Sequence, residues 1–593
     1  MRITTLTEKG SLAAWLQRAA PVIALDLEWK VHAQSERLDQ ILSGSVTGQD
    51  EDDVAFFEVN LLPELMAARE GTTYAAHYAS SDLKHLAWAG VPVHTKYAIV
   101  DTLILAHLLD ENGEHGLGPL VLKYYGDNYK EEFWSTYKKA EIAPKEALAE
   151  YNAKDVHYTL KLYNQLRAGL TADGVPDSLV LHVHQLQRSL LETEIAGIRV
   201  DTDHLMHKGV ELKTRIEQLT PEMRACVAEA VDVLECEEWA KQIGLRKTPK
   251  GRAGVKRPEF CFDSAKQLQK LLYEQLGLEK QYNDKTKKLT TDYGALDRLK
   301  DEHALIPMLL EYREKQKIYG TYIEGTLERM VEGRIYPSFN VTGTATGRIS
   351  HNNPNMGNMP GEGGIRGMFV PDDGMVFISA DFSQLEVCLS AHFTRDENLL
   401  RIVNEGVSQH DITSASLGIP RNLAKTVNFG MQYGCTHYKV AKVLGVSPEK
   451  GKEAYDKYWQ TYSGQKRVMD ECAAKVDRGE PIRNPFGRQR RFEKRERKPW
   501  DSAYRQAWNA LVQGTGSDLT SRALYLSDGC LRERGLGRAL FSVHDEIVIT
   551  AKEEHAEEAE KLLIENMTRV ATDIGLTVQL KAEGTGPMRR WED

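Results

Sequence analysis

Three apolar runs in this 593-residue chain carry acids where an apolar strand ordinarily excludes them. Residues 21–28 end in Asp26-Leu-Glu28, and acids two apart on a strand project from the same face. Phe377-Ile-Ser-Ala-Asp381 places an acid at the end of a second run. Phe541-Ser-Val-His-Asp545-Glu546-Ile-Val-Ile sets two adjacent acids in the middle of a third. Carboxylates in such places are costly unless positive charge sits between them, and a divalent cation is the usual solution. The adjacent pair inside an apolar hairpin requires a turn that exposes it, a metal, or both. A solvated tight turn would explain one of the last two runs but not both.

A fourth stretch asks for a particular ligand. Residues 421–434 read Arg-Asn-Leu-Ala-Lys-Thr-Val-Asn-Phe-Gly-Met-Gln-Tyr-Gly, with Arg421, Lys425, Phe429 and Tyr433 four apart. At 3.6 residues per turn each step drifts by only ~40°, so the four share one helix face. Two cations followed by an aromatic plane suit a molecule with a polyphosphate at one end and a flat base at the other. Arg and Lys neutralise phosphate oxygens, and an aromatic face stacks on a base. A mildly amphipathic solvated helix is the plain alternative for this stretch taken alone.

A chain this long exceeds a single core, so several domains are expected. Apolar runs at 21–28 and 98–109 and a helical stretch at 145–167 compose an α/β unit of roughly 170 residues. From about 180 to 330 the chain turns helical, at 181–195, 205–230, 264–276 and 305–330. The segments 244–258 and 281–293 interrupt it and read as loops. Runs 375–381 and 539–549 read as strands of one sheet, with 395–530 mostly helical between them.

The net charge of −10 speaks against a nucleic-acid partner only on average, because binding depends on where charges sit. Basic residues are dense from Arg246 to Arg257, and again at Arg488, Arg490 and Arg491, followed by Lys494, Arg495, Arg497 and Lys498. The seven cysteines are scattered with no CxxC pair, the first residues lack a signal core, and no apolar run spans a bilayer. A cytoplasmic chain with reduced thiols and no membrane partner is expected.

Two later features extend the first acid pair. Asp82 lies in His77-Tyr-Ala-Ser-Ser-Asp82, and Tyr151-Asn-Ala-Lys-Asp155 sets a phenol one helical turn before an acid. Four carboxylates, Asp26, Glu28, Asp82 and Asp155, would hold two Mg²⁺ ions that polarise a water and a phosphodiester together, with Tyr151 orienting the water. These motifs resemble, in family order, the DnaQ-like 3′–5′ exonuclease domain, an RNase H-like α/β fold. Tyr78 stands where that family usually has Asn, and Ser81 where it often has an aromatic.

From about residue 185 onward the chain resembles the bacterial DNA polymerase I-like (family A) polymerases. The resemblance implies that Asp381 and Asp545 bind two Mg²⁺ ions, with Mn²⁺ as a substitute, for in-line attack of a primer 3′-hydroxyl on a dNTP. It places Glu546 and His544 near the primer terminus in supporting roles. Arg421 and Lys425 would hold the triphosphate, with Lys425 placed to protonate the departing pyrophosphate. Phe429 would pack on sugar and base, Tyr433 would sit by the templating base, and His410 would touch the triphosphate. Glu386 matches the steric gate against a ribose 2′-hydroxyl, and Phe429 in place of Tyr implies poor acceptance of dideoxynucleotides. Arg348, in Thr344-Ala-Thr-Gly-Arg348, and Asn358 match DNA-contacting positions. Arg505, Asn509 and Gln513, four apart, match a helix reading the minor groove, whose near-degenerate acceptors suit a sequence-blind copier. Cys388 and Phe382 stand where the family usually has Arg and Tyr.

The implied architecture is multidomain α/β and α+β. A 3′–5′ exonuclease domain is expected at 1–175, the thumb with the start of the polymerase domain at 180–335, and the palm at 336–395. Fingers follow at 396–515 and the rest of the palm at 516–593, with no room for a 5′ nuclease domain ahead of Asp26. Expected partners are primer–template DNA and dNTPs, acting in phage replication or in repair, and the chain is expected to be a monomer. The basic segment 237–258 reads as a solvated loop, or as an extra phosphate or processivity-partner contact. An RNA polymerase or reverse transcriptase on the same palm conflicts with Glu386, and a nuclease with a dead polymerase site conflicts with the intact acids and cations.

Overall fold

The computed structural model describes residues 1–234, 260–283, 286–361, 363–432, 434–493 and 502–592. They fall into two compact units, one of residues 1–199, 330–359 and 369–593, the other of residues 200–329 and 360–368. The basic segment 237–258 and the cations Lys494, Arg495, Arg497 and Lys498 lie outside the described residues, as does Tyr433.

The first unit begins with a six-stranded sheet. Its strands are β1 (Arg2–Leu6), β2 (Val22–Lys30), β3 (Gln40–Thr47), β4 (Asp53–Glu58), β5 (Thr73–Ala76) and β6 (Ala98–Asp101), in spatial order β1-β4-β3-β2-β5-β6. β2 runs antiparallel to β3 and parallel to β5. Its two-residue period sends Ile23, Leu25 and Leu27 into one core with Leu12, Phe57 and Leu83. Ala24 faces the other way and packs with Val54 against Ala153, Val156 and Leu160. Those three residues belong to a long helix, the fourth of α1 (Ala79–Trp88), α2 (Thr102–Leu109), α3 (Tyr129–Tyr137), α4 (Lys145–Ala172) and α5 (Asp177–Ala196). Asp26 and Glu28 share the parity of Ala24, so they lie on the face that α4 covers. On α4, Asn152 and Asp155 share the stripe of Ala153 and Val156. Apolar packing between strand and helix therefore delivers the acids to one another.

The run 98–109 divides into β6 and α2 because Asp101 ends the strand and caps the helix. Its buried carboxylate accepts from Leu103 N at 2.9 Å. It also takes the N–H groups of Tyr78 (2.9 Å) and Ala79 (2.8 Å) at the start of α1. Tyr78, with φ at 62°, is thereby held in the left-handed region.

In the second unit, α6 (Thr202–Cys226) packs against α7 (Leu305–Ile318) around Leu219, Met223, Leu268, Leu305 and Leu309. The expected helices at 264–276 and 305–330 each contain a π turn, Leu271–Gln275 and Tyr319–Glu324. α5, which the sequence reading groups with the thumb, belongs instead to the first unit.

The rest of the first unit centres on a four-stranded antiparallel sheet. Its strands are β7 (Met375–Phe382), β8 (Gly537–Val543), β9 (Glu546–Lys552) and β10 (Ala582–Gly584), in order β8-β9-β7-β10. The run 539–549 is thus a hairpin rather than one strand. Helices α8 (Arg421–Gln432) and α9 (Ser502–Glu533) follow the expectation of a mostly helical 395–530, and α10 (Ala556–Asp573), which that reading did not include, comes after the sheet hairpin. α5 packs against both α9 and β8.

The described members of the second basic run, Arg488, Arg490 and Arg491, are engaged in ion pairs. Arg488 is buried and donates to Asp518 from Nη2 (2.7 Å) and Nε (3.0 Å). Asp518, in the middle of α9, also meets His182 of α5 (3.2 Å) and Asn484 (2.7 Å). Arg490 and Arg491 reach the buried Glu111, just beyond α2, at 3.1 and 2.7 Å, and Arg491 also pairs with Asp173 at the end of α4. These pairs fasten the hairpin 482–490 to the layer containing the six-stranded sheet. Glu111→Gln is expected to lower stability by about 2 kcal/mol, since hydrogen bonds between charged groups are worth about 1.5–3 kcal/mol. A lower denaturant midpoint at unchanged slope would show it, and an unchanged midpoint would contradict the fastening role.

Candidate active sites

Asp26, Glu28 and Asp155 each present a carboxylate oxygen within 4.8 Å of the others. Burial is the main reason the Glu28 carboxyl is pushed up to about 8, with Asp155 adding repulsion. Asp26 rises well above the usual carboxylate range for the same two reasons. Three carboxylates this close together are balanced by a dication, so this donor set fits Mg²⁺. Asp82, expected as a fourth ligand, is buried nearby but outside this trio. Its Oδ1 accepts from Leu27 N at 3.0 Å, so it props the strand that carries Asp26 and Glu28.

The surroundings of Tyr151 and Asp155 come largely from α3, which sequence reasoning missed. Lys130 Nζ lies 2.7 Å from both Tyr151 OH and Asp155 Oδ2. Tyr129 OH donates to Asp155 Oδ1, and Trp134 Nε1 donates to Tyr151 OH at 3.1 Å. The Phe133 ring stacks on Tyr151, with centroids 4.0 Å apart. Burial works against the Lys130 charge, but Asp155 and its neighbours outweigh it and hold the ammonium above its ordinary range. Asn152, one residue after Tyr151, donates to Asp26 Oδ2. The only local signal for α3 was the aromatic density of Tyr129, Phe133 and Trp134, which does not reveal a partner.

The second site sits on the antiparallel sheet. Asp381, the penultimate residue of β7, pairs with Glu546, the first residue of β9. Val543 pairs with Glu546, leaving His544 and Asp545 as a two-residue turn. His544 has φ at 55°, the left-handed geometry that such tight hairpins demand. The turn brings Asp545 beside Asp381, with Phe382 N donating to Asp545 O at 3.4 Å. Burial, moderated by Arg348 and reinforced by Glu386 and Asp381, pushes the Asp545 carboxyl up to about 6. Asp381 is raised as well, chiefly by desolvation, although solvent reaches its side chain. Two neighbouring acids that burial makes reluctant to ionise fit a divalent cation as the first site does.

α8 presents Arg421, Lys425 and Phe429 to solvent while Ala424, Val427, Asn428 and Met431 are buried. The four-residue spacing therefore does make an exposed face for the three described members. Arg421 Nε pairs with Asp411 Oδ1 at 2.8 Å. His410 Nδ1 meets Asn428 Nδ2 at 3.0 Å. Burial and then the charges of Arg421 and Lys425 depress the His410 pKa, which places all three in one electrostatic neighbourhood. Gln432, at the end of α8, donates to Glu386 Oε2 at 2.9 Å, and Arg348 Nη2 meets Glu386 Oε1 at 3.3 Å. Glu386 is thus tied both to the cationic helix and to the arginine that faces Asp545.

Arg348, Asn358 and His544 line one cavity of about 220 Å³ together with His351, Ser517 and Ser521. Arg505, Asn509 and Gln513 occupy successive turns of α9, all half-buried. Neither Asp411 nor Asn428 was singled out from the sequence. Both are short polar partners whose role depends on which helix packs beside them.

Comparison with known proteins gives the family of each part of the chain. DNA polymerase family A matches residues 240–593, and a 3′–5′ exonuclease family matches residues 3–171. DNA polymerase I of Chloroflexus aurantiacus is 30% identical over 548 residues, which are 87% of this chain and 54% of that protein. DNA polymerase I of Pseudomonas aeruginosa is 30% identical over 525 residues, 85% of this chain and 55% of that protein. The thermostable DNA polymerase I of Thermus aquaticus is 30% identical over 492 residues, 79% and 53% respectively. The chain thus spans about half the length of these relatives. The fold is also that of the polymerase domain of Pol1 from M. smegmatis, solved in complex with DNA primer–template and dNTP. The TM-score is 0.81, at 24% identity over 99% of each chain. With the polymerase match covering more than half of its length, the chain belongs to DNA polymerase family A and carries a 3′–5′ exonuclease domain ahead of its polymerase domain.

Proposed function

We propose that the chain extends a DNA primer on a template with dNTPs and trims the primer 3′ end at a second site. The observation that carries the first activity is the contact of Gln432 with Glu386, which joins the exposed Arg421–Lys425–Phe429 face to the acids Asp381 and Asp545. In this reading Arg421 and Lys425 bind the triphosphate, Phe429 covers the base, and His410 adds a neutral donor or acceptor beside them. Glu386, braced by Arg348 and Gln432, fills the space of a ribose 2′-hydroxyl and selects deoxynucleotides. Asp381 and Asp545 would hold Mg²⁺, which when bound lowers the pKa of the attacking hydroxyl and neutralises the triphosphate. Arg348, Asn358 and His544 line the cavity at the primer end, and Arg505, Asn509 and Gln513 follow the duplex. Glu546 supports the floor beside Asp381, and Tyr433 would sit by the templating base, as the resemblance implies.

Trimming is assigned to Asp26, Glu28 and Asp155, with Asp82 supporting their strand and Tyr151 orienting the attacking water. The acids of this site would hold Mg²⁺ by the same chemistry, with Mn²⁺ as a substitute. The chain acts as a monomer on this reading, in phage replication or in repair, with 237–258 as the candidate contact for a processivity partner. Among the described residues no helix is long and apolar enough to cross a membrane.

Extension of a 5′-labelled primer–template with Mg²⁺ and dNTPs tests the reading. The parent should lengthen the primer with dNTPs and not with rNTPs, and without dNTPs should shorten it from the 3′ end. Asp26→Ala is expected to cut trimming by about a thousandfold while extension persists, since a metal ligand supplies several kcal/mol. A parent that trims and never extends would remove the polymerase assignment. Trimming that survives Asp26→Ala would remove the exonuclease assignment.

A further inference from the structure

Both oxygens of Asp155 are already engaged by one helix. Tyr129 OH donates to Oδ1 and Lys130 Nζ approaches Oδ2 at 2.7 Å. The same ammonium lies 2.7 Å from Tyr151 OH and sits over the Tyr151 ring, 4.7 Å from its centroid. The Lys130 side chain is about three-quarters withdrawn from solvent, and that of Asp155 almost wholly so. A lysine drawn this far inward from α3 faces three acids, Glu28 and Asp155 buried and Asp26 half-buried, whose carboxylate oxygens lie within 4.8 Å of one another. A compact ammonium is the side chain best suited to occupy the place of a small cation.

We propose that Lys130 is the resident cation of the exonuclease site, a positioning residue that holds Asp155 and Tyr151 in place and that a divalent ion must displace from Asp155. The idea rests on the assignment of Asp26, Glu28 and Asp155 as the exonuclease metal ligands. It gives α3 the role of a latch: with Lys130 on Asp155, the acids keep their geometry without a full complement of metal. With Lys130 moved off that oxygen, its charge remains beside the Tyr151 hydroxyl. One fixed charge also makes metal entry competitive, so this site should load at higher metal concentration than the same acids would without the lysine.

Mn²⁺ binding to the full chain tests this directly, with Asp381→Asn and Asp545→Asn as the background so that the second site does not contribute. Free Mn²⁺ is counted by electron paramagnetic resonance during titration. Lys130→Met, which keeps the aliphatic stem, is expected to tighten Mn²⁺ binding by about tenfold or more, because a unit charge ~4 Å away is removed. Lys130→Arg keeps the charge and should bind like the parent. Equal or weaker binding in Lys130→Met, or Lys130→Arg behaving like Lys130→Met, would overturn the proposal. Should Lys130→Met not fold, Tyr129→Phe removes the donor to the other Asp155 oxygen and should tighten binding by a few-fold. Unchanged affinity there counts equally against the latch. Asp26→Ala separates the two ideas: if it binds Mn²⁺ as the parent does, the metal-ligand assignment fails rather than the role of Lys130.

Discussion

Asp545→Ala is expected to abolish primer extension, by about a thousandfold or more, while 3′ trimming continues at the parental rate. Asp545 sits in a two-residue turn whose geometry is set by the β8/β9 register, and truncation leaves that register intact. The change removes a carboxylate beside Asp381 without disturbing the sheet, so the loss falls on cation binding and on transition-state charge. Several kcal/mol of such stabilisation correspond to about three powers of ten. Because the Asp545 carboxyl is pushed up to about 6, protons and metal compete for it. The Mg²⁺ concentration needed for extension by the parent should therefore rise as pH falls through about 6. Steady-state extension with labelled primer measures both effects. A variant that retains a tenth of parental extension would exclude Asp545 as a metal ligand.

The second large effect concerns stability. Asp518→Ala strips the buried Arg488 of a two-pronged partner and takes one hydrogen bond each from His182 and Asn484. An uncompensated buried charge costs about 3–5 kcal/mol, enough to threaten folding at moderate temperature. Burial alone would raise the Asp518 carboxyl, but Arg488 and His182 outweigh it and hold it well below the usual carboxylate range. A depressed folded-state pKa means that its contribution is fully present above the ordinary Asp range and is lost only as pH falls through the depressed value. The gap between parent and variant should accordingly stay constant from neutral to mildly acidic pH and narrow only in strong acid. Urea unfolding followed by intrinsic fluorescence at several pH values tests both statements. A gap under 1 kcal/mol would show that Arg488 finds another partner or water.

The placement of the candidate acids was readable because strand and helix periods are local properties. Asp26 and Glu28 share a face by the two-residue alternation that also puts Ile23, Leu25 and Leu27 in the opposite core. Arg421, Lys425 and Phe429 share an exposed face by the helical period. The division of 539–549 into a hairpin was signalled by its acids, which only a turn could expose.

The basic run at 488–491 shows where that reading stops. Its spacing and charge look like a phosphate-binding patch, yet Arg491 pairs with Glu111, 380 residues away in the chain, and Arg488 with Asp518. Nothing in a linear pattern says whether an arginine will meet phosphate or a buried glutamate. The helix Tyr129–Tyr137 is the same case, since Lys130 and Tyr129 acquire meaning only when α4 brings Tyr151 and Asp155 beneath them. Asp82, expected as a ligand by its motif, also accepts from the backbone of Leu27 through its Oδ1, a contact only packing reveals.

By itself the sequence determined which elements carry the acids, which face of the 421–432 helix meets solvent, and the family to which the chain belongs. Those properties rest on periodicity within single elements and on motif order. Only the tertiary structure decided which charges are spent on one another and which remain to meet a ligand. Partner choice among distant side chains is set by packing, and a buried ion pair forms wherever the fold leaves a carboxylate and a guanidinium with no other means of satisfaction.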